Sequence, residues 1–347
     1  MSVTLTPHYL RRTTLANNLT IEGGESGTIL NVTGPITGNS SLYIAYQTGI
    51  LNLTSPANSF NGDLFVLGTG TVNLAGSVNA GSGGISQSAG TIRFTSGSSF
   101  GSGSIKLRGG ILRADASTTL TQDFFIGNDH TIDTGANMLT LAGAIKGAQG
   151  TITKTGSGTL ALDGTSNFTG TLATNAGRLL LRGRMNGVRA VTVASGAILE
   201  LGASDLVNDS AAVSLTAASL ATAGFSETVG ALSLVAGAST LDLGSGASLF
   251  HFTDSSTQAW TGTLAITNWS GLQTGGGTDQ LFFGTDATGL TTGQIDQITF
   301  LNPAGIPPGN WPAVLLSNGE IVAAPEPGTI ALLLSSLSLI VAHRRRC

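Results

Sequence analysis

The sequence predicts an all-β fold, a right-handed parallel β-helix (β-solenoid), with a short hydrophobic helix at its C-terminus. Three observations predict it: a short alternating pattern that returns about every 20 residues, 50 glycines against only 9 prolines, and 10% charged residues beside 41% apolar ones. Globular chains carry roughly 25% charged residues, so little self-repulsion opposes collapse here. The apolar content is too high for a disordered chain. Such a chain turns often and still has side chains to bury, which suits short strands between tight corners.

The recurring unit is Gly, a variable residue, an apolar residue, a usually polar one and a second apolar residue. It reads GILNL from Gly49, GTVNL from Gly70, GTIRF from Gly90 and GILRA from Gly110, at intervals of 21, 20 and 20 residues. GTLAL from Gly158, GRLLL from Gly177 and GAILEL from Gly196 are spaced by 19. An earlier copy, GTILNV, starts at Gly27; GANMLTL from Gly135 and ASTLDLGSGASLFHF from Ala238 are looser. Alternation over four to six residues marks a strand with one buried face, and no stretch sustains a helical period. The leading Gly fits a corner that needs positive φ or a close approach of two backbones.

An interval near 20 is long for a hairpin and short for a propeller blade. It fits one coil of a solenoid, whose strands stack on the next coil about 4.8 Å away. From Gly27 to about Phe300 this gives roughly 13 coils and a rod on the order of 60 Å long. A β-sandwich of evenly spaced strands is the alternative. In the solenoid, Leu51, Val72, Ile92 and Leu112 form one interior column, and Leu160, Leu179 and Ile198 align in the same way. The chain divides into solenoid repeats (1–225), a continuing β-rich region (226–324) and a tail (325–347).

Fifteen Lys and Arg against 19 Asp and Glu give a net charge of −4 with no basic patch along the body, which argues against a nucleic-acid partner. The single Cys, Cys347, excludes an internal disulfide framework and a Cys-based zinc site. Residues 154–182 read KTGSGTLALDGTSNFTGTLATNAGRLLLR. This segment resembles the autotransporter-associated β-strand repeat: a Lys-Thr-Gly start at Lys154, a Gly-Thr-Leu strand, an Asn-aromatic-Thr-Gly turn at Asn167 to Gly170, and a closing Gly-x-Leu strand from Gly177. Residues 49–74 look like a degraded second copy that keeps Asn58, Phe60, Gly62 and Gly70. In both, the Asn amide suits a turn and the ring of Phe60 or Phe168 packs inside or over the end of the coil.

The last 23 residues, PEPGTIALLLSSLSLIVAHRRRC, are of another kind. Pro325, Glu326 and Pro327 make an extended joint. Residues 328–342 are an apolar run broken only by Thr329, Ser335, Ser336 and Ser338, and Arg344, Arg345 and Arg346 close it. As a helix the run covers roughly 22 Å, short of a hydrocarbon core of roughly 30 Å. The arginines would stay cytoplasmic, with everything before Pro325 outside. From the residues alone, a buried terminal helix or a weak tail anchor remains open.

Pro-Glu-Pro, a short apolar segment and a terminal Arg cluster, in that order, resemble the PEP-CTERM sorting signal. The resemblance implies an exosortase-type membrane enzyme as partner, which processes the tail during export in Gram-negative, exopolysaccharide-producing bacteria. It implies transient inner-membrane insertion, a final place outside the cell or on its outer surface, and contact with exopolysaccharide or other surface glycans. The opening stretch MSVTLTPHYLRRTTLANNLT has no apolar run of signal-peptide length. We therefore expect this sequence to begin inside a longer precursor.

Candidate chemistry is sparse. The richest cluster is Gln122, Asp123, Asn128, Asp129, His130 and Asp133, whose spacing matches no metal motif and reads as a loop. Asp163, Asp205, Asp209, Asp242, Asp254, Asp279, Asp286 and Asp296 do not recur in register as the acids of a calcium-binding repeat would. In GGGTDQL, Asp279 is misplaced for a calcium nonapeptide. Four His, at 8, 130, 251 and 343, are dispersed, and neither a phosphate loop nor a nucleophile elbow occurs. No catalytic, metal or cofactor residues are expected; the sorting residues are Pro325, Glu326, Pro327, Arg344, Arg345 and Arg346. The expected function is an exported, non-catalytic structural protein of the cell surface or extracellular matrix. An adhesin or glycan-binding module that displays Thr, Asn, Trp260, Trp269 and Trp311 is the alternative, and a polysaccharide lyase or hydrolase on a β-helix is third.

Overall fold

Each coil of this chain lays down two or three short strands, and most of them pair with their counterpart one coil later. The computed structural model describes residues 2–4, 13–75, 78–79 and 83–324. They form a parallel β-solenoid of about 12 turns. The expected C-terminal helix lies outside the described residues.

Three faces run along the rod. Face one stacks Leu19–Gly23, Leu42–Tyr46, Leu64–Val66, Ile85–Gln87, Ile105–Leu107, Phe124–Ile126 and Ile145–Lys146. It thins to the single bridges Ile145 to Ser166 and Met185 to Val207, then widens again into Glu227–Val229, Leu249–Phe252 and Gln280–Phe283. Face two is an eleven-stranded sheet among the described residues, from Ile29–Val32 to Leu232–Ala236. Face three begins with Thr13–Leu15, Ile36–Gly38 and Asn58–Phe60, is relieved by a 3-10 turn at Gly97–Phe100, and resumes from Thr118–Leu120 to Ile298–Leu301.

The interior column on face two has the expected register. Leu51 pairs with Val72, Val72 with Ile92, and Ile92 with Leu112, all in parallel and all buried. Val72 and its equivalents point inward because side chains alternate across a strand and only one side of the sheet is dry. Phe60 and Phe168 are both fully buried, as expected, and the Asn58 amide donates to the Ser55 carbonyl of its own turn. Its carbonyl also accepts the Ile36 N–H of the coil before, at 2.8 Å. Gly90 and Gly177 adopt φ of +67° and +66°, and a Cβ at either would collide with carbonyl oxygens of the preceding coil. Both reasons for a corner glycine therefore apply at once.

Two expectations change. The Leu160 and Leu179 column continues through Leu199, not Ile198, which pairs with Arg178 and faces out at 36% exposure. GAILEL carries one more residue between its Gly and its inward position than GRLLL does, and the small Ala197 is what the corner buries. The Gly-led units also do not share one side. Those from Gly49, Gly70, Gly90 and Gly110 lie on face two, whereas those from Gly158, Gly177 and Gly196 lie on face three. The segment 154–182 thus repeats the succession of 49–74 displaced by one face, because the interval reports the length of a coil and not which side it is on.

Parallel pairing continues past residue 225 through Ala238–Asp242, Thr263–Thr267 and Ile298–Leu301. It ends in an antiparallel hairpin, Asn310–Leu315 and Glu320–Ala323, which pairs with Ile298–Leu301 on one face and Gln280–Phe283 on another. An open strand edge is a template for another chain, and this hairpin covers two of them, with Ile321, Val322 and Ala323 fully buried. Aromatic rings fill the wider coils nearby: Phe252 stacks on Phe283 at 5.0 Å, and Trp269 meets Phe300 edge-on at 5.0 Å.

The corrected register has a direct test. Leu199→Asp buries an unpaired carboxylate and is expected to cost several kcal/mol, roughly 3 or more. Ile198→Asp, one residue away, should stay within about 1 kcal/mol of the parent. Urea unfolding of the two variants checks this, and the larger loss at Ile198 would show the strand to be inverted.

Candidate functional site

The sorting residues Pro325, Glu326, Pro327, Arg344, Arg345 and Arg346 lie outside the described residues. Within the described rod, the polar side chains mainly join one coil to the next. On the outer side of face two, Asn31, Asn52 and Asn73 form an amide ladder with bonds of 2.7 and 2.6 Å. The next rungs continue it as charge: Arg93 to Asp115 at 2.8 Å, Asp115 to Arg113 at 3.0 Å and Arg113 to Asp133 at 2.8 Å.

The cluster from Gln122 to Asp133 comes apart around its coil. Gln122 donates to Gly101 O, Asp123 accepts from Ala144 N and pairs with Lys146, and Asn128 donates to Arg108 O. Asp129 accepts from Thr151 N, Asp133 pairs with Arg113, and the buried His130 ring meets Gly109 O through Nδ1 at 3.1 Å. Burial holds His130 down at about 4, so the ring is neutral at pH 7. Among the described residues, no group of three or more His, Cys, Asp or Glu is placed to hold a metal ion. Asp279 is fully buried and accepts from Ser248 N, Ser270 N and Ser270 Oγ. It fixes a loop. Trp260 and Trp269, which the adhesin alternative would display on the surface, are core residues at 9% and 1% exposure, and the Trp260 Nε1–H donates to Leu232 O. The broad C-terminal coils need large rings inside. Trp311 is half-buried, donating to Pro307 O.

Buried charges also escaped the sequence reading, Lys154 and Glu227 among them. Lys154 occupies the interior column between Ile132 and Thr174, and its ammonium donates to the carbonyls of Thr155, Gly156 and Ala176 at 2.6 to 2.9 Å. Three donors meet three acceptors on two coils, which explains a Lys at the head of that segment in structural terms. Burial lowers it to about 8, against the pull of Asp133, so it stays charged at pH 7. Glu227 accepts from Leu206 N at 2.6 Å and Val207 N at 3.3 Å, while Oε1 has no partner among the described residues. Burial pushes its carboxyl up to about 7. Alternation was the available signal: Lys154 is in phase with Ile152 and Glu227 with Val229.

Three surface depressions remain. One of about 260 Å³ on face two is bordered by Asn73, Arg93 and Asp115, and one of about 220 Å³ lies by His251, Asp254 and Asp286. The largest of the three, about 390 Å³, opens on face one beside Lys106, Arg108 and Phe125. No helix among the described residues is long and apolar enough to cross a membrane. No family model, curated protein or solved structure matches the chain.

Glu227 makes stability depend on pH. Between its ordinary 4.5 and about 7 the folded chain keeps a proton that the unfolded chain has released, so stability falls as pH rises through that window. Glu227→Gln keeps an acceptor for the two N–H groups and cannot ionise. Its stability relative to the parent should climb between pH 4.5 and 7 by on the order of 3 kcal/mol and stay level above that. Thermal melts of both chains across pH 4 to 8 read this out; a constant offset would mean that the carboxyl does not titrate there.

Proposed function

We propose that this protein is an exported, non-catalytic rod of the cell surface or extracellular matrix, delivered by its C-terminal tail. The observation that carries the reading is how the polar side chains are used. The outer ladders, the pairs Lys146–Asp123 and Arg182–Asp163, and the interior Lys154 all tie a coil to its neighbour. A chain built so yields a stiff, evenly coated spacer whose stability needs no cofactor. The order Pro-Glu-Pro, apolar run and Arg cluster supports the second half of the proposal: an exosortase-type enzyme engages the tail while residues 328–342 sit in the inner membrane.

A sorting signal and a permanent anchor respond differently to one change. Replacing Pro325, Glu326 and Pro327 by Ala leaves the apolar run intact, so a simple anchor still reaches the membrane. Under sorting, the triple variant accumulates as full-length precursor in the inner membrane, while the parent matures to a smaller product. Loss of the three arginines alone takes the formal net charge from −4 to −7. Intact-mass measurement of the exported protein decides; a mature form still ending in Cys347 would rule out processing.

A further inference from the structure

We infer that face one carries a binding stripe for a linear acidic polysaccharide, with the depression beside Phe125 holding one carboxylated sugar residue. The parallel register puts Tyr43, Phe65, Ser86, Lys106, Phe125 and Lys146 in a single outward column, one residue per coil. At about 4.8 Å per coil the column is about 24 Å long. An outward side chain does not fill the core, so aromatic rings here are not required by the fold.

Two parts of the column differ from an ordinary solvated surface. Tyr43 and Phe65 stack at 4.6 Å with their planes within 9°, which makes a continuous apolar pair two coils long. Three coils on, Phe125 is 42% exposed and is flanked along the column by Lys106 and Lys146, with the Lys146 ammonium 5.3 Å from its ring centroid. Between them the buried Ser86 leaves a dip. The depression has Gly127 and Gly147 in its lining, Phe125 on one side and Lys106 and Arg108 on another.

The charges are not equivalent. Lys106 is paired with Asp63 at 3.3 Å and Lys146 with Asp123 at 2.7 Å. Arg108 is exposed and makes no ion pair with another described residue. A guanidinium with free donors binds a carboxylate bidentately, while the neighbouring ring offers a face to the C–H groups of a sugar. A carboxylated sugar presents both features. The aromatic pair in the same column, and a depression open to solvent, fit a chain lying along the rod better than a single small molecule. One unpaired arginine at this site, on a chain of net charge −4, neutralises too little phosphate to hold a nucleic acid there.

This site does not depend on how the tail is processed, so either proposal can fail alone. The test is calorimetric titration of the full chain with hexagalacturonate, with its methyl ester as the neutral control. Saturable binding is expected, weakened at least tenfold by esterification, by Arg108→Gln and by Phe125→Ala. Both side chains are exposed, so the melting temperatures of the variants should match the parent. Phe65→Ala should weaken the hexamer several-fold and leave trigalacturonate unchanged, because only the longer chain reaches the Tyr43 and Phe65 pair. No saturable binding, or equal binding of the ester, would overturn the inference. So would loss with Arg108→Gln but not with Phe125→Ala, which is the mark of general charge attraction.

Discussion

The whole structure depends on one constraint: the backbone N–H groups of each coil must meet the carbonyls of the coil next to it. At the corner that opens face two, Thr71 N donates to Gly49 O, Thr91 N to Gly70 O and Ile111 N to Gly90 O, at 2.8 to 3.0 Å. Once successive coils superpose at this spacing, like positions stack on like positions. Apolar residues then form interior columns, amides form outer ladders, and corners such as Gly90 and Gly177 have no room for a side chain. Even Lys154 obeys the rule, since its three hydrogen bonds span its own corner and the corner of the following coil.

The same constraint explains what could be read in the sequence. A strand of four residues with a glycine in front leaves a strong mark, and the interval near 20 leaves another, so the parallel stack and the column through Leu51, Val72, Ile92 and Leu112 were legible. Which side a strand occupies was not, because all faces are built under the same rule and the period is blind to rotation by one side. Ile198 was misplaced because a corner can take up one extra small residue, Ala197, without disturbing the ladder. Trp260 and Trp269 could be assigned to a display surface in the adhesin alternative because nothing local signals that the coils there are wide enough to hold an indole. Lys154 and Glu227 were visible only as breaks in an apolar alternation, and such breaks more often mark an outward strand end than a buried charge.

Stacking also governs what the surface can do. A residue type placed outward on successive coils becomes a line of groups at a fixed repeat, which is how Asn31, Asn52 and Asn73 make a ladder and how Tyr43, Phe65 and Phe125 fall in one column. Many such lines close on themselves through hydrogen bonds and ion pairs between coils. Beside the face-one column, Arg108 departs from this, with no ionic partner among the described residues. On the reading proposed above, a spacer with one such stripe joins two properties, stiffness along its axis and a linear site parallel to it.

Disulfide trapping between outward positions of face two measures the in-register stack most directly, in a Cys347→Ser background. Thr71, Thr91 and Ile111 are successive partners in that ladder. Adjacent rungs lie about 4.8 Å apart and alternate rungs about 9.6 Å, while a disulfide needs Cα atoms within about 7 Å. In-register stacking therefore requires rapid oxidation of Thr71→Cys with Thr91→Cys and of Thr91→Cys with Ile111→Cys, and none of Thr71→Cys with Ile111→Cys. Rapid oxidation of Thr71→Cys with Phe94→Cys, the pairing of an antiparallel hairpin, would contradict it.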